Sequence, residues 1–413
     1  MANVFQTVDW MADTSLFWIK NSLAVASNFN TDPTDEFKKP FAVGSSIRIK
    51  KPWKPTVTSG LPYNPQAIIR IPVTVNLDQV FGIHFEWDSY EKAVSMERGE
   101  KQLEAEYIKP AMQMLAQEID SRAANWARLH ANNIVGILGT DPTTFDATSA
   151  AARQRLVELG GASDASDKCM VVPPNVMRAL KNSSIAYFNP VADLTKQWRT
   201  GIVGSGDGFE WYESVSLYSH TAGSLTATPT VKTTSVDGDT TLAITCTTGD
   251  TLNDGDVISV ASCNQVNPLT RRKVTSVNKP FVIRGNYTAA ANTITATISP
   301  TIYGPGNPYQ NVDALPVAGS TITLFPGTSS PNGKAGINGI AFTRNAFAMV
   351  GVPMEIPEAA EVSWVRQDPE TGLAISFLRM MDPKSRTMVN RFDVLMGFGD
   401  LYSDECAVRV LGA

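Results

Sequence analysis

Residues 240–285 read TTLAITCTTGDTLNDGDVISVASCNQVNPLTRRKVTSVNKPFVIRG. Apolar residues alternate with Thr, Ser and Asn in short runs, and Gly-Asp, Asn-Asp-Gly and Asn-Pro turns punctuate them. Period-two alternation is the pattern of a half-buried strand, and regular turn signals between such runs mark a sandwich or small barrel. NTITATI (292–298) and STITLF (320–325) continue the pattern. Around them the composition shifts: no Glu occurs between Glu213 and Glu355, and no Trp between Trp211 and Trp364. Own composition and own periodicity predict a separately cored, barrel-like all-β domain over 222–337, inserted in a chain that resumes helix-and-strand character at about Asn338.

On the N-terminal side of this stretch lies the strongest helix pattern. Met112, Leu115, Ile119, Trp126 and Leu129 form an apolar stripe, Glu118 and Arg122 an i,i+4 pair, and Gly136 and Gly139 stand where it should end. From Pro110 to Asn133 the helix would be about 36 Å long. Residues 140–221 read as mixed: helix from Ser149 to Leu159, the apolar strand KCMVV (168–172), a helix from Pro174 to Leu180, and the strand FEWYESVSLY (209–218). On the C-terminal side, AISFLRMMDP (374–383) and TMVNRFDVLMGFGDLY (387–402) are long strands, followed by the short strand CAVRVLG (406–412). Strands this long call for a sheet, expected to be shared with the 140–221 part.

The N-terminal 1–36 looks like an arm. Phe5, Val8, Ala12, Leu16, Ile19 and Leu23 form one helical stripe, with Trp10 and Trp18 off it and Pro33 ending it. An ordinary first helix on its own core and an arm docked elsewhere both fit. Next, GSSIRIKKPWKPTVT (44–58) and AIIRIPVTVNL (67–77) read as two strands of a long loop, within 37–84. Pro52, Pro55 and Pro72 cannot donate to a ladder, which puts these strands at an edge or clear of the body. Between Phe37 and His84 seven bases face one acid, a balance of +6. Between Phe85 and Tyr107, in a segment of helical period from Ser89, seven acids face three bases, a balance of -4. Such runs are usually solvated faces. They are also what the two halves of a contact repeated between copies look like, with Arg48, Lys50, Lys51 and Lys54 on one side and Glu97, Glu100, Glu104 and Glu106 on the other.

Chemistry is harder to find. With 43% apolar residues in 413 the chain can build real cores, and a net charge of -5 argues against a protein that neutralises nucleic-acid phosphates. Asp9 and Asp13 stand where a signal peptide needs an unbroken apolar run, and no stretch approaches the ~18 apolar residues of a membrane span. Cys169, Cys246, Cys263 and Cys406 are far apart with no histidine beside them, which suits reduced thiols and not zinc. His84, His130 and His220 share no motif. GSGDG (204–208) precedes a strand and not a helix, so it reads as a turn. DTLNDGD (250–256) resembles a calcium loop, but Leu252 and Ala261 occupy ligand positions, so a hairpin turn is expected. No cofactor, metal or catalytic residue is expected, and no enzyme. Thr-rich β composition by itself also fits a surface-binding module.

Six segments in order carry a resemblance over most of the chain. They are KKPFAVGSSIRIKKP (38–52), EYIKPAMQMLAQEID (106–120), LNDGDVISVASCNQVNPLTR (252–271), PYQNVDALPVAG (308–319), NGIAFTRNAFAMVGVPMEIP (338–357) and RFDVLMGFGDLYSDECAVRVLG (391–412). Together they resemble the major capsid protein of tailed double-stranded-DNA bacteriophages, in particular the gene-5-type coat of short-tailed phages that carries an inserted domain. ASCN (261–264) departs from it, since such coats tend to have a glycine-containing turn there. The resemblance implies an α+β Hong-Kong-97-like fold: N-terminal arm (1–36), extended loop (37–84), peripheral domain with a spine helix (85–139), axial domain (140–221), β-insert (222–337) and return strands (338–413). It implies a structural protein of the virion capsid, made in the bacterial cytoplasm, that assembles with itself into hexamers and pentamers. Scaffolding and portal proteins would be assembly partners and a decoration protein a further candidate. The shell would enclose double-stranded DNA without sequence-specific binding, and a protein-cargo compartment of the same fold is the related alternative.

Overall fold

The computed structural model describes residues 4–31, 46–55, 68, 70–88, 107–138, 146–160, 168–179, 205–325, 333–355, 362–368, 371–382 and 387–411. Two compact units emerge. One comprises Met1–Ile49, Pro72–Ala123 and Phe347–Asp400; the other comprises Lys50–Ile71, Ala124–Ala346 and Leu401–Ala413. Helices and strands are segregated within them, an α+β arrangement.

The first unit is built on an antiparallel five-stranded sheet. Its longest strand, Thr387–Asp400, pairs with Ala374–Asp382, Gln79–Asp88 and Phe347–Val352, and Val362–Gln367 lies outside Ala374–Asp382. Phe392, Val394, Met396 and Phe398 are buried at alternate positions, as a strand with one core face requires. Trp364 stacks on Phe377 at 5.4 Å, and Phe377 lies 4.9 Å from Phe392. The two long return strands therefore share a sheet with Gln79–Asp88 and not, as expected, with the 140–221 part. A ten-residue register between strands 300 residues apart decides this, and composition does not encode register.

The helix Val4–Ser22 buries Ala12 and Ile19 and packs against Val362–Gln367. Lys20 lies 4.0 Å from Asp368, Asp13 3.9 Å from Arg366, and the Lys109 ammonium 4.3 Å above the Trp18 ring. The arm thus seats on its own unit. Where it ends, the Asp120 carboxylate accepts the N–H groups of Ala24, Val25 and Ala26, the orphan donors of a chain turning out of a helix.

In the second unit a seven-stranded mixed sheet runs Asn133–Gly136, Ala407–Leu411, Ala335–Thr343, Lys168–Val172, Phe209–Glu213 and Ser205–Gly206, with Ser219–Thr221 also on Ala335–Thr343. The helix Asp146–Glu158 buries Ala152 and Leu156 against Met170, Val172, Val408 and Val410. FEWYESVSLY is a strand only over Phe209–Glu213, because Ser214 and Val215 turn away.

The same unit holds the β-rich region. Its six-stranded sheet runs Ile322–Leu324, Val257–Val266, Lys273–Arg284, Thr293–Ser299, Thr241–Thr245 and Thr230–Val231. Thr230 bridges Thr321, and Ile322 N–H donates to Pro229 O at 2.9 Å, so the outer strands meet and the sheet closes as a barrel. Closure removes both edges. Val260, Phe281, Ile283, Ile294, Ala296 and Ile322 fill it. Ser262 holds φ +65° where Val257–Val266 bulges, so the ASCN departure keeps the left-handed turn a glycine would adopt.

Candidate assembly interface

Ser46–Lys50 and Pro72–Asn76 pair with each other as a separate two-stranded sheet. The prolines explain its isolation. Of the four bases expected to face a neighbouring copy, Arg48 and Lys50 are exposed on the outgoing strand. Lys54 instead pairs with Glu405 on the helical turn Ser403–Cys406, its side chain 17% exposed. The Lys51 ammonium lies 5.3 Å from the Tyr402 ring centre. Two bases therefore point outward, and two, just past the outgoing strand, brace the loop against its own chain. Glu97, Glu100, Glu104 and Glu106 lie outside the described residues.

The barrel's seam with the rest of its unit is charged and deeply buried. The long helix spans Lys109–His130, ending earlier than expected, and the reason is on its last turn. Four C-terminal carbonyls of any helix lack partners. Here Arg409, 1% exposed inside the strand Ala407–Leu411, donates from Nη2 to Arg128 O and to Ala131 O (3.1 Å), and from Nη1 to Gly255 O (2.7 Å). Arg284 donates to Leu129 O at 2.7 Å. Two guanidinium groups, one from the barrel and one from the last strand, thus cap the helix where its dipole is negative.

His220 links the same helix to the barrel. Arg128 Nη1 donates to His220 Nδ1 at 2.8 Å, and His220 Nε2 lies 2.8 Å from Asp256 Oδ1. A guanidinium can only donate, so Nδ1 is the acceptor and the proton sits on Nε2, a neutral imidazole. Burial holds the His220 pKa below its usual range although Asp256 pulls the other way. Asp256 also accepts from Gly223 N (3.0 Å) and Asn253 N (2.7 Å), which fixes the turn in DTLNDGD; it is not the hairpin expected, because Thr251–Leu252 pairs with Tyr287–Thr288 and Val257–Val266 with Lys273–Arg284. Gly255, at φ +91°, leaves room for Arg128: a Cβ there would lie 2.4 Å from Nη1.

A second buried pair joins Lys279 of the barrel to Asp404. Burial pushes the Asp404 carboxyl up, but the Lys279 charge and hydrogen bonds from Lys279 and Asn132 outweigh it and hold its pKa below the usual value. Asn132 also donates to Pro280 O (3.1 Å), and Asn133 to Ala407 O (3.2 Å) and Asp404 O (2.9 Å).

All four cysteines are buried free thiols, with Cys263 pushed up to about 12 and Cys406 to about 11, each by burial first. A thiol so far from ionising is inert. Among the described residues no three His, Cys, Asp or Glu side chains gather as metal ligands, and no helix is long and apolar enough to cross a membrane. Sequence reasoning passed over Arg409, Lys279 and Arg128, and considered His220 only as one of three histidines without a shared motif. The available signal was a lone charge inside an apolar run, as in CAVRVLG and VNKPFVI.

The family model described as "P22 coat protein - gene protein 5" matches residues 66–404. Among solved structures, the chain is similar to one of Mycobacterium phage Che8, at 14% identity and TM-score 0.47 over 95% of this chain and 92% of that one. It is similar to the capsid of the Cyanophage P-SCSP1u at 12% identity and TM-score 0.45, over 90% and 85%. It is also similar to the acid-stable capsid of Helicobacter pylori bacteriophage KHP30, at 12% identity and TM-score 0.37 over 88% and 82%. No curated protein sequence matches the chain. The family match covers the return strand of the loop, the long helix, the barrel and nearly all of both sheets, so the chain belongs to the P22 coat protein family and is a major capsid protein of a phage virion, structural and not an enzyme.

Proposed function

We propose that copies of this chain assemble as hexamers and pentamers of an icosahedral shell that encloses double-stranded DNA, with scaffolding and portal proteins as assembly partners and a decoration protein as a further one. The carrying observation is the family match over 66–404. In this reading 222–337 is an inserted domain and the loop within 37–84 lies on a neighbouring copy. Exposed Arg48 and Lys50 face Glu97, Glu100, Glu104 and Glu106 of that copy, while Lys51 and Lys54 hold the loop to its own chain. Each exposed pair contributes only ~0.2–1 kcal/mol, but a closed lattice repeats it many times. The net charge of -5 leaves packaged DNA confined and loosely held, as a genome that must leave requires.

Negative-stain microscopy of the purified protein, with nuclease treatment of particles from infected cells, tests this. Closed shells containing nuclease-resistant DNA are expected. A monomer or small oligomer under all assembly conditions would sink the shell, and DNA-free, protein-filled particles would sink the genome-enclosing role.

A further inference from the structure

Past its two strands, on the side of its tip, the loop is held by the barrel through its main chain. Among the described residues the ladder's outermost bond is Lys51 N–H to Ile71 O at 3.0 Å. Next to it Pro52 and Pro55 have no N–H to donate, so a regular ladder cannot run on through them. Two barrel residues meet the main chain here. Tyr309 Oη lies 3.3 Å from Pro52 O, to which it donates, and 3.4 Å from Ile71 N, from which it accepts. Arg271 Nη2 donates to Lys54 O (3.4 Å) and to Pro308 O (3.1 Å), tying this segment to the loop that presents Tyr309. The outgoing and the returning chain are both gripped just past the strands, and neither grip depends on a loop side chain. The segment Lys50–Ile71 accordingly belongs to the compact unit that contains the barrel.

Arg271 adds an independent sign. It sits at φ +55°, a left-handed conformation that suits glycine and strains an L side chain. The turn is closed without its side chain, by Arg271 N–H to Asn267 O at 2.8 Å and by Asn267 Oδ1 accepting from Leu269 N and Thr270 N. A strained arginine where glycine would fit, with its guanidinium on the loop's main chain at Lys54, points to a job for that side chain.

We infer that Arg271 and Tyr309 are positioning residues that fix the direction of the extended loop in the free subunit, so that its ordering cost is met at folding and not at assembly. The inference rests on the proposed role of the loop between copies. Its test separates the two. Hydrogen exchange is measured on the full-length unassembled chain at the Lys51 and Ile71 amides, alongside thermal unfolding and the concentration at which shells appear, for wild type, Arg271→Gly and Tyr309→Phe. Each variant should exchange roughly three- to tenfold faster at these two amides, the range expected for losing one or two modest hydrogen bonds. Shells should need a several-fold higher subunit concentration. Arg271→Gly should keep or raise the unfolding temperature, because glycine relieves the left-handed strain, so assembly and stability move in opposite directions. A merely structural arginine would lower both. Unchanged exchange in both variants overturns the inference, as does faster exchange with an unchanged shell threshold. Wild type that never forms shells overturns the functional reading instead, and the exchange rates still judge the grip.

Discussion

Inside the barrel, Phe281, Ile258, Leu252 and Ile302 are fully buried in one apolar cluster, while at its seam the same depth is occupied by Arg409, Lys279, Asp256 and His220. Apolar burial is non-directional: it stabilises the barrel but does not dictate how the barrel is seated. A buried charge loses several kcal/mol of hydration and recovers it only with every partner in place. The seam therefore trades stability for a single orientation, and its groups titrate where the core's do not.

The largest effects should separate these two kinds of burial. Phe281→Ala should cost about 3–5 kcal/mol in denaturant unfolding, as transfer and cavity losses add. Lys279→Met should cost a similar ~3–5 kcal/mol by leaving Asp404 without its counter-charge. The double variant Lys279→Met, Asp404→Leu should recover most of that loss, and no second substitution near Phe281 should rescue the cavity in the same way. If the double variant stays as unstable as the single one, the seam is not an ion pair in the energetic sense and the comparison breaks.

Acid should act on the seam and not on the barrel's apolar core. The folded-state pKa of His220 lies below its ordinary value near 6.5, so the unfolded chain binds a proton that the folded one refuses. Its contribution is complete above pH 6.5 and is lost progressively as pH falls below it, because a proton on Nδ1 would face the Arg128 guanidinium with Arg409 close by. Asp404 adds a second loss once pH falls below 3.8 and through its depressed folded value. His220→Gln keeps an acceptor for Arg128 and a donor for Asp256 without titrating. Unfolding followed between pH 7 and roughly pH 5 should show a falling midpoint in wild type and a flatter one in the variant; parallel curves would remove His220 from the account.

These residues also mark what could be read in advance. Strands such as Thr293–Ser299 lie where Thr alternates with apolar side chains, because a half-buried strand must alternate. A barrel-like form was legible, but not which strands close it: Thr230 and Thr321, about ninety residues apart, meet there, with Ile322 N–H donating to Pro229 O and Val231 N–H to Ser320 O. Nor was the seam. Nothing in YSHTAG names the partners of His220, and it is Arg128 and Asp256, from distant parts of the chain, that hold it in a buried site. The ASCN turn lies between these cases: its missing glycine was visible, its conformation was not. Ser262→Gly should therefore stabilise by about 1 kcal/mol, since the exposed serine side chain is lost at no cost and the φ of +65° suits glycine. A drop in stability would mean that the serine side chain contributes to the bulge.

The smallest effect per site belongs to the exposed bases, and it extends the comparison from the inside of one chain to the contact between chains. Arg48 and Lys50 are solvent-facing, so reversing them should leave the unfolding midpoint of the free subunit within about 0.5 kcal/mol. Any pair they make with Glu100 or Glu104 of a neighbour is worth ~0.2–1 kcal/mol and is screened by salt. Arg48→Glu with Lys50→Glu should accordingly weaken shell formation at low salt, less so at high salt, and Glu100→Lys with Glu104→Lys should restore part of it. Reversal at Lys54 should behave differently, because its partner Glu405 is on its own chain: the free subunit itself is destabilised, and the neighbour's lysines cannot rescue it. Light scattering across a salt series reads both. If the Arg48, Lys50 variant assembles like wild type while the Lys54 variant fails, the loop's charges hold it to its own chain and not to its neighbour, and the contact between copies must rest on uncharged groups.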